Sequence, residues 1–219
     1  MRGLLIVFEG PDGCGKTTQH ARLAQHLYEN VVPHTTVRLP GGSAMGDNIR
    51  SMVLGKHHEV RGMDHLSRFL LILADMRRAV YEVIEPALEA GDIVLCDRYI
   101  ASTIAYQVHG CGLNESEIHD LLNIAVGGCP VPDFHLVFDA PDMVLDLRTS
   151  KRGDSDVFED AHQVVKQRIR EFYRTIERMN LVRIDSNKRP EDVFERVLLE
   201  VMFKIHDVHS QNLLEATDV

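Results

Sequence analysis

Eight consecutive residues near the N-terminus, Gly10-Pro11-Asp12-Gly13-Cys14-Gly15-Lys16-Thr17, follow the spacing Gly-x4-Gly-Lys-Thr. Glycine lets the backbone turn where a Cβ would clash, so successive N–H groups can converge on one phosphate. An apolar run, Leu4–Phe8, precedes the loop, and a helical pattern from Lys16 to Tyr28 follows it. That context is the one a P-loop requires, with the positive end of the helix aimed at the anion. The loop residues Gly10, Asp12, Gly13, Cys14, Gly15, Lys16, Thr17 and Thr18 are therefore expected to hold the phosphates of ATP. Lys16 would neutralise the transferring oxygens, and the Thr17 hydroxyl would ligate Mg²⁺. A GTPase would also carry Asn-Lys-x-Asp, and the nearest string, Asn187-Lys188-Arg189-Pro190, lacks the aspartate.

Two arginines stand where a second phosphate could be held. Asp97-Arg98-Tyr99 follows the run Ile93–Cys96, and Arg38 lies in the run Thr35–Leu39, just before Pro40-Gly41-Gly42. In open parallel sheets, ligands sit beyond the carboxyl ends of the strands, so both arginines should face one cleft. Paired guanidinium groups suit bidentate phosphate recognition. A non-catalytic P-loop regulator, the competing reading, has no use for this second cationic site.

Further runs at His135–Phe138 and Leu181–Ile184 are, like the others, short and without clean alternation, as buried parallel strands are. Helical patterns alternate with them: Leu66 to Leu88, Ile118–Val126 capped from Asn114, Val157 to Met179, and a last helix opening at Pro190. The order predicts an α/β fold of three layers, with a central parallel sheet of about five strands, in one domain over 1–219. A net charge of -9 argues against a nucleic-acid surface. The run before Glu9 is too short for a signal h-region or a membrane span. The four cysteines have no metal or CxxC spacing, which suits a reducing, cytoplasmic setting. His57-His58 has no partner at ligand spacing and reads as a solvated pair.

The separated motifs together resemble the thymidylate kinase family. Phe8-Glu9-Gly10 running into the P-loop, Arg38-x-Pro40-Gly41-Gly42-Ser43, Ile84-Glu85-Pro86-Ala87-Leu88, Asp97-Arg98-Tyr99, Ser102-Thr103, Ala105-Tyr106-Gln107 and Ile184-Asp185 occur in the family's order. The resemblance spans about residues 4–200 and implies transfer of the γ-phosphoryl group of ATP to a deoxynucleoside monophosphate, usually dTMP. It implies that Arg38 and Arg98 hold the acceptor phosphate and that Asp12 approaches the sugar 3′-hydroxyl. Tyr106 would fill the space of a ribose 2′-hydroxyl, Ser102 and Thr103 would meet the base edge, and Asp97 would help organise Mg²⁺. It further implies a homodimer, for which the apolar surface at Leu66–Leu73 would serve. A mobile lid is implied at about 148–157, with Arg152, then Lys151, as its catalytic cations.

Departures from the family fall in three places. Leu39 stands where an acidic residue is often found between the arginine and the proline, a change that alters little because some members also carry an apolar residue there. The lid string Asp156-Val157-Phe158-Glu159 has valine where the family carries arginine. Counting back from Pro86 places Ile72 and Met76 where an aromatic residue and an arginine usually read the base. Pro40 and Phe69 are also expected against the acceptor; Arg77 is next to Met76, but a one-residue step turns a helical side chain by about 100°. Isoleucine cannot π-stack and methionine donates no hydrogen bond, so the reading is a pyrimidine pocket of relaxed selectivity that takes dUMP or a modified dUMP beside dTMP. Another deoxynucleoside monophosphate kinase, for dCMP or dGMP, is the runner-up enzyme.

Overall fold

Strand β1 (Leu4–Glu9) is buried along its whole length, because it lies between two neighbours and under helices on both faces. A computed structural model describes residues 2–55, 62–151, 162–178 and 180–217, with side chains through residue 207. The expected pair His57-His58, the cation Arg152 and the departure at Val157 lie outside these residues. With β2 (His34–Arg38), β3 (Ile93–Asp97), β4 (Phe134–Asp139) and β5 (Leu181–Asp185), the described chain forms a five-stranded sheet in the order β2-β3-β1-β4-β5, every pairing parallel.

Alternate β1 side chains feed opposite layers. Leu5 and Val7 pack with the helices α3 (His65–Ala79) and α6 (Glu115–Val126), while Ile6 and Phe8 pack with α1 (Lys16–Glu29) and α9 (Pro190–Thr217). Period-two alternation thus yields two cores, one on each face of a single sheet. Among the described residues no helix is long and apolar enough to cross a membrane.

All five expected strands are present, and two helical expectations change in detail. The long pattern from Leu66 to Leu88 is interrupted: α3 passes into a π-helical turn, Val80–Ile84, before α4 (Glu85–Glu89). Pro86 has no N–H to donate, and its ring would crowd the carbonyl four residues back, so the widened turn sits where the α-helical ladder must break. The helix expected over Val157 to Met179 is α8 (Gln163–Thr175), and residues 152–161 are not described. Its end is fixed by Arg183, which donates to the carbonyls of Tyr173 and Ile176 at 2.7 Å each. Three helices were not anticipated: α2 (Ala44–Val53), α5 (Ile100–Ile104) and α7 (Asp142–Ser150). Helix α2 is capped by Ser43, whose side chain accepts from Gly46 N at 3.0 Å.

Candidate active site

The P-loop joins β1 to α1, and its backbone angles require its glycines. Gly10 has φ 142° and Gly13 φ 82°. A Cβ on Gly10 would lie 2.4 Å from the Phe138 carbonyl oxygen, and one on Gly13 would lie 2.7 Å from that of Leu145. Helix α1 starts at Gly15 with no side-chain cap and no acidic residue in its first turn. Its leading N–H groups and positive dipole end are therefore left for an anion. Lys16 is buried, 3.4 Å from the Pro11 carbonyl and 3.9 Å from Asp12 Oδ1. Cys14 and Cys96 are buried and Cys111 and Cys129 half-buried, all unpaired.

Arg98 follows β3 with φ 75°, a left-handed conformation unusual for a side chain of this size. Backbone ties hold it there: its N–H donates to the Phe8 carbonyl at 3.0 Å, and Cys96 Sγ donates to its carbonyl at 3.1 Å. Its guanidinium donates to Asp12 Oδ1 at 2.5 Å, Ser102 Oγ at 3.2 Å, Tyr106 OH at 3.3 Å and the Gly10 carbonyl at 3.4 Å. Tyr106 in turn donates to Asp12 Oδ2 at 2.6 Å. Burial alone would lower the Arg98 pKa, but Tyr106 and Asp12 outweigh it and hold the group firmly cationic. Tyr106 lies in a second π-helical turn, Ala105–Gly110, directly after α5.

Glu9, the last residue of β1, received no role in the sequence reading, yet it organises this corner. It is fully buried and accepts from Tyr99 N at 2.9 Å, Ser102 N at 3.1 Å and Ser102 Oγ at 2.5 Å. Tyr173 of α8 places its hydroxyl 2.8 Å from Ser102 Oγ and 3.1 Å from Glu9 Oε2. Burial pushes the Glu9 carboxyl up, while the Ser102 bond and Arg98 oppose that. The Ser102 hydroxyl is therefore engaged by Glu9, Arg98 and Tyr173. It helps to position the arginine, and Ser102 also lines the apolar pocket where the base contact is expected.

Thr17 donates to Asp97 Oδ2 at 2.9 Å, and Asp97 Oδ1 is buried without a hydrogen-bond partner among the described residues. Burial pushes the Asp97 carboxyl up; Lys16 and Arg98 more than offset this, and the net shift is downward. A hydroxyl beside an ionised carboxylate with an orphaned oxygen is a donor set that fits a hard, oxygen-seeking cation. Arg38 lies on the rim, nearly half exposed, and donates to Asp47 Oδ1 at 2.8 Å.

Two clefts meet at this constellation. One, of about 240 Å³, is lined by Lys16, Thr17, Asp97, Arg38, Arg50 and Arg98. The other, of about 80 Å³, runs between Leu39, Pro40, Ile72, Met76, Thr103 and Gln107, and has Asp12, Arg98, Arg50 and Tyr106 at its mouth. The expected positions Asp12, Pro40, Ile72, Met76, Arg98, Ser102, Thr103 and Tyr106 thus share one pocket. Phe69 does not line it: the side chain is fully buried in the core under the sheet, because its helical position faces β1 and β3. Arg77 also turns away, donating to the Ala125 carbonyl at 2.6 Å and stacking on Tyr81. Arg50 and Gln107 line the pocket without having been picked out. Arg50 belongs to the unanticipated helix α2, and Gln107 closes the Ala105-Tyr106-Gln107 motif.

A third cleft, of about 210 Å³, opens on the far side of the P-loop between Thr18, Arg148 and Lys188. Arg148 was expected to open a mobile lid. It lies in the last turn of α7, donating to the Ser186 carbonyl at 2.9 Å and the Gly13 carbonyl at 3.4 Å. Lys151 is exposed just after that helix.

Comparison with known proteins agrees with this arrangement. The sequence profile of the family described as thymidylate kinase matches residues 8–197. A thymidylate kinase of Carboxydothermus hydrogenoformans is 37% identical over 195 residues, covering 89% of this chain and 94% of the relative. One from an Exiguobacterium species is 35% identical, covering 90% and 93%, and one from Acinetobacter baumannii is 36% identical, covering 89% and 98%. A P-loop, an arginine-centred second site at the strand ends and likeness along nearly the whole length converge: the chain belongs to the thymidylate kinase family.

Proposed function

We propose that this chain transfers the γ-phosphoryl group of ATP to the 5′-phosphate of a pyrimidine deoxynucleoside monophosphate, with dTMP and dUMP both accepted. The observation that carries the reading is that the phosphate cleft and the apolar pocket share Asp12 and Arg98. A donor triphosphate in one and an acceptor in the other would bring their phosphates together there. An acceptor phosphate oxygen forms the new bond to the γ-phosphorus as the bond to the β–γ bridging oxygen breaks and ADP leaves. No side-chain nucleophile is needed; Lys16, Arg98 and Arg38 supply position and positive charge.

Thr17 and Asp97 would hold Mg²⁺, whose charge, when bound, offsets that of the donor phosphates. Asp12 would accept from the sugar 3′-hydroxyl, with the Tyr106 ring filling the space of a 2′-hydroxyl. Lys151 and Arg152 would bring further charge from the segment at about 148–157, within one domain over 1–219. Unpaired cysteines suit a cytoplasmic enzyme. Leu66, Leu70 and Ala74 of α3, with Tyr81 in the π-helical turn after it, are exposed apolar residues that would pack against a second copy.

Base selectivity follows from the pocket wall. Ile72 and Met76 cover a pyrimidine but donate nothing to its carbonyl, and one extra methyl contact adds only about 0.8 kcal/mol. Assayed with ATP and Mg²⁺, dTMP and dUMP should differ by no more than about tenfold in kcat/KM. A sharp preference for dTMP over dUMP overturns the relaxed pocket, and ADP release independent of any monophosphate overturns the kinase reading. Lys16→Ala should abolish transfer while the protein stays folded.

A further inference from the structure

Asp75 precedes Met76 on α3 and is fully buried, yet it lines neither the phosphate cleft nor the acceptor pocket. Its Oδ2 accepts from the backbone N–H of Gly41 at 2.7 Å, and its Oδ1 accepts from Arg78 Nη2 at 2.9 Å. A carboxylate with a cation on one oxygen and a backbone donor on the other makes the stronger, charge-assisted kind of hydrogen bond. Helix α2 closes on the same group: a Cβ on Gly46 would fall 2.6 Å from Asp75 Oδ1 and 2.8 Å from the Gly41 carbonyl. The turn after β2, the start of α2 and the middle of α3 therefore meet on one buried side chain.

Those segments carry the acceptor pocket's two facing walls. Leu39 and Pro40 belong to the turn; Ile72 and Met76 belong to α3. On its other side the turn is held by Arg50, which donates to the Pro40 carbonyl at 3.0 Å. We propose that Asp75 is a positioning residue that sets the separation of the two walls, and so the affinity for the acceptor nucleotide, without touching it. The P-loop is built on β1 and α1, outside this clamp, so ATP affinity is independent of Asp75.

The inference rests on the acceptor-site reading, and kinetics with both substrates test the two separately. In Asp75→Ala the KM for dTMP should rise about tenfold or more, as expected for losing a hydrogen bond to a charged group, with the KM for ATP within twofold of the parent. Asp75→Asn keeps an oxygen for the Gly41 N–H and should recover most of the dTMP affinity. It also keeps the volume, which guards the test against a misfolded alanine variant; thermal unfolding of both variants reports their folding directly. A parent chain that shows no dTMP-dependent ADP release overturns the acceptor reading and this inference with it. An active parent whose Asp75 variants leave the KM for dTMP unchanged, or shift both KM values alike, overturns the inference alone.

Discussion

Arg98 adopts a left-handed backbone and donates to four oxygens at once, so its guanidinium is fixed before any substrate arrives. Preorganised charge of this kind stabilises a transition state without reorganisation at the moment of reaction. Tyr106 is the residue whose removal tests that organisation most cleanly. Tyr106→Phe keeps the ring and deletes one hydroxyl, which donates to Asp12 and accepts from Arg98. Losing a bond to a charged carboxylate should lower kcat/KM for dTMP about tenfold, with ATP binding little changed; steady-state kinetics with each substrate varied will show it. Lys16 and the P-loop glycines were legible from spacing alone. Glu9 was not, because a glutamate ending an apolar strand carries no signal until Ser102, Tyr99 and Tyr173 are seen around it.

At the scale of elements, β4 carries a titratable group into the core. His135 is 5% exposed, on the face of β4 that also bears Val137, and burial, with Arg178 adding to it, pushes its pKa down to about 4 from 6.5. The folded value lies below the unfolded one, so as pH falls below about 6.5 the unfolded chain takes up the proton first. Stability should therefore drop between pH 6.5 and pH 4 and level off below, by at most about 3 kcal/mol from this group. His135→Phe should flatten that part of the pH dependence, measured by urea unfolding at pH 7.5, 6 and 5. Helix periodicity was legible for α3 but its π-helical turn was not, since that turn answers a backbone conflict at Pro86 and leaves the side-chain pattern unchanged.

At the scale of the molecule, the apolar positions of α3 divide in a way no periodicity count could decide. Phe69, Ile72, Leu73 and Met76 are buried, whereas Leu66 is 47% exposed and Leu70 48% exposed. Four turns of one helix thus serve the core, the acceptor pocket and an outer stripe. If that stripe pairs two copies, Leu66→Glu with Leu70→Glu should convert a dimer to a monomer by light scattering, because a buried carboxylate on each side of a symmetric contact is unfavourable. A parent chain that is monomeric at every concentration removes the dimer from the proposal.

The P-loop, the parallel strands and the two arginines were determined by sequence, because each depends on local backbone freedom or on short-range order along the chain. Which residues of α3 line the pocket was narrowed by counting and then decided by packing: Met76 and Ile72 line it, Phe69 goes to the core and Arg77 to the Ala125 carbonyl. Arg148, where the expected lid begins, owes its place to α7 and the Ser186 carbonyl. Glu9, Arg50 and Asp75, and the tie of Ser102 to Glu9, took their roles only in three dimensions. Each acts on groups brought together from different strands and helices, and no one-dimensional pattern holds that proximity.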